Sequence, residues 1–271
     1  MYLDLLKKTL TYALWPEPPH PVDVYKGADL TIREKALAAL YKLLSSFNGD
    51  IEVVKKTSIY PEHRENGMFW PANADTMVGL KRLDNLQDCI ETVLKEGIEG
   101  DLIETGVWRG GACILMRAVL AAHRVKDRRV FVADSFKGLP EPDPKQYPAD
   151  KWSNLHSMRY LKVTKDEVMN NFKKYGLLDE QVIFLEGWFK DSLLGAPINK
   201  LAVLRLDGDM FGSTIEVLNI LYPKLARGGF CIIDDYALEP CRKAVDDYRK
   251  EHGIASGLVP IDWTGKYWRK E

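Results

Sequence analysis

Two acidic clusters stand out by type and spacing: Asp207-Gly208-Asp209 and Asp234-Asp235-Tyr236, each placed directly after a short apolar run. Carboxylates crowded in this way repel and raise one another's pKa unless something positive lies between them. No Lys or Arg is expected beside either cluster. A hard divalent cation, Mg²⁺ or Mn²⁺, suits such an all-oxygen set of four carboxylates. The stretch from Asp207 to Leu218 is not a calcium loop, because Phe211 and Leu218 stand where ligand oxygens are needed. The competing reading is that Asp209 and Asp235 only cap helices or face solvent.

A second constellation precedes these. Glu104-Thr-Gly106-Val-Trp-Arg-Gly110-Gly111 follows an apolar run and opens a helical pattern, and the next apolar run ends in Asp134. A turn poor in side chains lets a ligand approach the backbone, and a carboxylate at the next strand end is where a doubly wound fold grips ribose hydroxyls. The spacing G-x-x-x-G-G is not the G-x-G-x-x-G that seats a pyrophosphate, so a dinucleotide is less well supported than another adenosine-bearing ligand. Glu104 before the turn points to a ligand with a cationic group.

These residues need a scaffold of short apolar runs alternating with helical stretches, as parallel βαβ units require. The strands read as Leu102–Thr105, Val130–Ala133, Val182–Leu185, Ala202–Leu206 and Phe230–Ile233, with weaker late ones at Leu258–Ile261 and Lys266–Arg269. Capping boxes at Thr164 with Glu167 and Ser213 with Glu216 mark two helix starts. Upstream, Met1 to Trp15 is amphipathic and Pro16 to Pro21 breaks the chain. A third capping box, Thr31 with Glu34, then opens another helix, and Tyr60 to Asn73 reads as loop before helical periodicity returns over Thr76 to Lys95. The expected organisation is a helical arm and lid over residues 1–95 and a ligand-binding α/β domain over residues 96–271.

Of the 271 residues, 38 are basic and 39 acidic, which leaves no global field and disfavours a nucleic-acid or acidic-membrane partner. Cys89, Cys113, Cys231 and Cys241 lack zinc-ligand spacing and suit a reducing cytoplasm. Asp4, Lys7 and Lys8 interrupt the first apolar pattern, which argues against a signal peptide. No stretch reaches the length of a membrane-spanning helix.

With these motifs in view, the chain resembles the macrocin O-methyltransferase family, a group of class I methyltransferases that includes the novobiocin sugar 4-O-methyltransferase. The resemblance rests on Thr76-Met-Val-Gly-Leu-Lys-Arg82-Leu-Asp-Asn85-Leu, the Glu104 to Gly111 turn, and Asp134-Ser-Phe-Lys-Gly-Leu-Pro140. It continues in Glu186-Gly-Trp-Phe-Lys-Asp191, Leu206-Asp-Gly-Asp-Met210 and Gly228-Gly-Phe-Cys-Ile-Ile-Asp-Asp-Tyr236. It implies a Rossmann-like, doubly wound seven-stranded sheet with an antiparallel last strand, and S-adenosylmethionine as methyl donor. It also implies a Mg²⁺-type ion, a glycoside acceptor from antibiotic biosynthesis, and a homo-oligomer.

By matching motif, Glu104 and Gly106 would line the methionine and ribose part of the donor. Asp134 would take the ribose hydroxyls, Ser135 would lie beside the adenosine, and Gly187 and Trp188 beside the adenine. Asp207, Asp234 and Asp235 would hold the metal, Asp209 would be the general base, and Met77 and Arg82 would help close the donor pocket. One departure concerns the base, because some relatives carry His or Lys where this chain has Met210.

Rings at Tyr60, Phe69, Trp70, Tyr147 and Trp152 would lid the acceptor, pack the arm onto the domain or form a dimer contact, and His63 and His156 stay outside the catalytic set. A nicotinamide-dependent sugar oxidoreductase or epimerase, a non-catalytic binding protein and a catechol or phenol methyltransferase are the alternatives. The first would need a different glycine turn. The second would be marked by a lost metal aspartate, and the third differs only in its loops.

Overall fold

The computed structural model describes residues 1–18, 20–21, 32–45, 54–55 and 59–271. The apolar runs form strands β1 (Asp101–Thr105), β2 (Val130–Asp134), β3 (Val182–Glu186) and β4 (Leu201–Leu206). They continue as β5 (Leu225–Ile233), β6 (Val259–Pro260) and β7 (Lys266–Arg269). They are strands because successive residues bury opposite faces. Leu102, Val130, Val132 and Ile232 enter one core, while Ile103, Phe131, Ala133, Cys231 and Ile233 enter the other. The sheet order is β3-β2-β1-β4-β5-β7-β6, parallel from β3 through β5, with β7 antiparallel to both of its neighbours. This is the doubly wound seven-stranded sheet expected from the sequence.

Helices cover both faces. On one side lie α1 (Tyr2–Leu10), α4 (Leu80–Lys95), α5 (Gly111–Ala122) and α6 (Lys165–Lys174), which contribute Leu10, Leu86, Leu115 and Phe172 to the first core. On the other lie the short α7 (Phe189–Ser192), α8 (Phe211–Leu221) and α9 (Glu239–Glu251), and α8 and α9 fill the second core with Leu218, Leu221, Val245 and Tyr248. Leu83, Leu86, Ile90 and Val93 of α4 share a core with Leu102 of β1, so this helix, grouped with the arm on sequence grounds, is packed as part of the sheet layer. Helices α2 (Ile32–Ser45) and α3 (Pro61–Asn66) lie upstream of it. His20–Pro21 pairs antiparallel with Val54–Lys55.

Several local expectations shift. The loop expected from Tyr60 to Asn73 contains α3, which begins at Pro61, where a missing N–H costs nothing, and stops at Gly67 with φ +59°. The helix expected from Thr76 starts at Leu80, because Thr76 turns its hydroxyl onto the Val78 N–H at 3.1 Å. Thr164 caps α6 as expected, accepting from the Glu167 N–H at 3.3 Å. Ser213 does not cap α8. That helix begins two residues earlier, and its first N–H groups, from Phe211 and Gly212, donate at 2.7 and 2.8 Å to the two carboxylate oxygens of Asp150. A carboxylate satisfies two orphan donors at the positive helix end, which one hydroxyl does not. The Thr31 and Glu34 box lies outside the described residues and side chains. Among the described residues, no helix is long and apolar enough to cross a membrane.

Candidate active site

Strand order reverses between β1 and β4, which opens a crevice at their carboxyl ends. The ladder runs one residue past each strand there. Gly106 N–H donates to Ala133 O, Asp207 N–H to Thr105 O, Asp234 N–H to Leu206 O and Gly187 N–H to Asp134 O, each at 2.9 Å. The residues that begin the loops therefore stand in one row. Gly106, at φ +86°, must be glycine because a Cβ there would collide with the Asp207 carbonyl.

On one side of the row Asp134 is held rigidly. Its Oδ2 accepts from the Val107 N–H and its Oδ1 from the Phe136 N–H, both at 2.8 Å. Burial pushes its pKa up, and these N–H groups work against that shift. Ser135 shapes the following turn, donating to Gly138 O at 2.7 Å and accepting from the Lys137 N–H at 3.0 Å.

On the other side one oxygen each of Asp207, Asp234 and Asp235 lies within 4.8 Å of the others. Asp235 Oδ2 accepts from the Asp209 N–H at 3.0 Å, which ties the two acidic loops together rather than capping a helix. Asp209 is held at φ +57°, a left-handed conformation uncommon for a non-glycine residue. Burial, then repulsion from neighbouring carboxylates, pushes Asp207 up to about 6 and Asp209 up to about 8. The same causes raise Asp235 well above the ordinary carboxylate range.

The expectation that no basic residue sits beside the acidic clusters is overturned. Arg205, fully buried in β4, donates through Nη1 to Glu104 Oε1 and to Asp207 Oδ2, and through Nη2 to Asp234 Oδ1. Arg82 of α4 donates to Asp234 Oδ2 and, at 2.9 Å, to Asp262 Oδ2. Burial works against both guanidinium groups, and the surrounding carboxylates outweigh it, so their pKa values rise. Glu104 is thus already paired with a cation of the protein. It also accepts from the Cys113 thiol at 2.9 Å, and burial nonetheless pushes it up to about 7.

One cavity of about 440 Å³ gathers every residue assigned from the sequence to the donor, the metal or the base. Met77, Arg82, Glu104, Gly106, Asp134, Ser135, Gly187 and Trp188 line it together with Asp207, Asp209, Asp234 and Asp235. Phe69, Trp70 and Tyr147 also reach it, whereas Tyr60 and Trp152 are exposed and do not. Trp70 stacks on Tyr160 at 5.1 Å, which packs this loop onto the insertion after β2. His63 accepts from the Tyr60 N–H at 3.4 Å, and neither it nor His156 lines the cavity. Asp262, which holds Arg82, escaped the sequence reading, and so did two residues that brace the acidic loops. Asp150 carries no motif, whereas Arg205 left a signal: a lone charge between Leu204 and Leu206 in an otherwise apolar strand.

Sheet order, switch-point crevice and loop row define a class I methyltransferase, and the structure of the O-methyltransferase NovP matches it with a TM-score of 0.84 at 45% identity over 99% of this chain and 98% of that one. The calicheamicin methyltransferase CalS11 shares the fold at TM-score 0.57 and 18% identity, covering 89% and 94% of the two chains. The chain belongs to the macrocin O-methyltransferase (TylF) family, whose profile matches residues 1–270.

Among curated relatives, 8-demethyl-8-(2,3-dimethoxy-α-L-rhamnosyl)-tetracenomycin-C 4′-O-methyltransferase of Streptomyces olivaceus is 48% identical over 99% of this chain and 92% of its own. Demethyldecarbamoylnovobiocin O-methyltransferase of Streptomyces niveus is 46% identical over 100% and 93%. Mycinamicin III 3″-O-methyltransferase of Micromonospora griseorubida is 44% identical over 100% and 96%. The protein is an O-methyltransferase, and its fold implies S-adenosylmethionine as donor.

Proposed function

We propose that the protein methylates a sugar hydroxyl of a glycosylated natural product, with a divalent cation, Mg²⁺ or Mn²⁺, held by Asp207, Asp234 and Asp235. The observation that carries this reading is the meeting, in one cavity, of a backbone-fixed Asp134 and three carboxylate oxygens within 4.8 Å of one another. The relatives named for a rhamnosyl tetracenomycin and for mycinamicin support a sugar-bearing acceptor.

The residues fit a cation. Even with Arg82 and Arg205 present, the carboxylates of Glu104, Asp207, Asp209, Asp234, Asp235 and Asp262 outnumber the guanidinium groups, and their mutual repulsion is what a hard dication relieves. When bound, such an ion lowers the pKa of a coordinated hydroxyl, and the donor supplies a sulfonium methyl for in-line displacement. The chain's own groups do the rest. Asp134, its plane set by two N–H donors, keeps lone pairs for the ribose hydroxyls of the donor. Gly187 and Trp188 bound the adenine side, and Met77 closes over the donor. Asp209, anchored through its amide to Asp235, takes the acceptor proton as general base, and Phe69, Trp70 and Tyr147 exclude water from the acceptor.

Chelation tests the reading. EDTA should abolish methyl transfer to a rhamnosyl-type glycoside and Mg²⁺ should restore it. Asp207→Asn or Asp234→Asn should cut turnover by orders of magnitude while calorimetry finds donor binding nearly intact. Turnover that survives chelation, or a loss of only a few-fold in Asp234→Asn, would return these aspartates to a structural role.

A further inference from the structure

We propose that Arg205 is a positioning residue that sets the spacing of the cation-binding carboxylates and ties them to the donor side of the cavity; the inference rests on the metal reading above. Arg205 is 1% exposed, and a guanidinium taken out of water is costly unless it is paired and hydrogen-bonded on all sides. Its two terminal nitrogens meet carboxylates from three successive strand ends of the sheet. Nη1 serves Glu104, at the end of β1, and at 2.9 Å Asp207, after β4; Nη2 serves Asp234, after β5. Because the guanidinium fork is planar, the direction of each donor is fixed by the others, so moving any one carboxylate misaligns the rest.

Asp234 is gripped from both sides, since Arg82 takes its second oxygen and is itself held by Asp262 at 2.9 Å. Two members of the cation trio are therefore oriented by arginine. The third, Asp235, is oriented by the Asp209 N–H at 3.0 Å. Glu104 shares Nη1 of this guanidinium with Asp207, so the donor wall and the cation wall meet on one rigid part. A lysine at position 205 would supply the charge as a single point and lose the fork.

The test measures Mn²⁺ binding by calorimetry or electron paramagnetic resonance on the full chain without acceptor, and donor binding separately. Arg205→Lys should fold, by circular dichroism and a cooperative melt, and should bind Mn²⁺ at least roughly tenfold more weakly, the range seen when groups that orient metal ligands are removed. Glu104→Gln should also weaken Mn²⁺ binding several-fold, since it releases Nη1 to compete for Asp207, and should have little effect in the Arg205→Lys background. That non-additivity is a signature a purely structural role does not produce.

Unchanged Mn²⁺ affinity in folded Arg205→Lys, or strict additivity of the two substitutions, overturns the proposal and leaves the metal reading standing. If Arg205→Lys does not fold, Glu104→Gln decides alone: unchanged Mn²⁺ affinity overturns the proposal. If the wild-type protein binds no divalent cation, the metal reading and this role for Arg205 fall together.

Discussion

At the scale of single residues, the cavity stores unfavourable charge. Glu104 at about 7, Asp207 at about 6 and Asp209 at about 8, with Asp235 also raised well above the ordinary carboxylate range, all hold protons more tightly in the folded chain than unfolded, with burial the largest cause. A raised carboxyl favours the folded state below its unfolded pKa, and that contribution is lost as pH rises through the folded value. Cation-free protein should therefore melt at falling temperature between about pH 5 and about pH 8, and Mg²⁺ should flatten the decline by replacing the protons. Melting curves in EDTA and in Mg²⁺ check this, and a cation-free melt that is level across the window contradicts it. Asp134 acts at the same scale. Asp134→Ala removes the acceptor of two backbone N–H groups and the proposed ribose contact, and should weaken donor binding on the order of 10- to 100-fold by calorimetry in a protein that still folds.

Elements transmit these effects. Helix α8 begins directly after the Asp207 to Met210 loop, and its cap comes from Asp150 in the insertion after β2. In the same insertion the Tyr147 hydroxyl donates to Glu216 Oε1 at 3.0 Å, and its ring lies where a Cβ on Gly212 would have to go. Asp150→Ala should cost about 0.5–2 kcal/mol in stability, the ordinary worth of an N-cap. It should also raise the acceptor KM more than the donor Kd, because the insertion and the acidic loop are braced through this contact. Thr164→Ala is the control, since it removes a cap of similar worth from α6. Equal kinetic effects from the two substitutions would mean that α8 needs no brace.

Across the whole molecule, both faces of the sheet are sealed, and α4 is part of one seal. A chain cut at residue 96 would strip Leu83, Leu86, Ile90 and Val93 from the core that holds Leu102 and Ile232. Expressed alone, residues 96–271 should be insoluble or unfolded by circular dichroism. In the full chain Ile90→Ala should cost about 2–5 kcal/mol in denaturant unfolding. A soluble, cooperatively melting fragment would show that the sheet does not depend on α4. Function enters at this scale as well, because Arg82 reaches Asp234 from α4, so the seal and the acidic row share a residue.

Strand ends were legible because apolar runs terminate where the backbone leaves the core, and a polar residue at that point must face the crevice or solvent. That logic picks out Glu104, Asp134, Asp207, Asp209, Asp234 and Asp235, and the family motifs add Gly187 and Trp188. Local chemistry was equally readable for the Thr164 cap, in which donor and acceptor lie three residues apart. It failed for α8, whose true cap, Asp150, lies 61 residues from Phe211. It failed again for Arg205, which meets Glu104 across 101 residues and Asp234 across 29. Periodicity and caps report contacts within a few residues, so they assigned the strand ends, the alternating α/β pattern and the acidic row, while the seven-stranded class came with the family motifs. Which strands lie side by side depends on long-range packing of both cores, and only that packing decided that one buried arginine would stand between the acids.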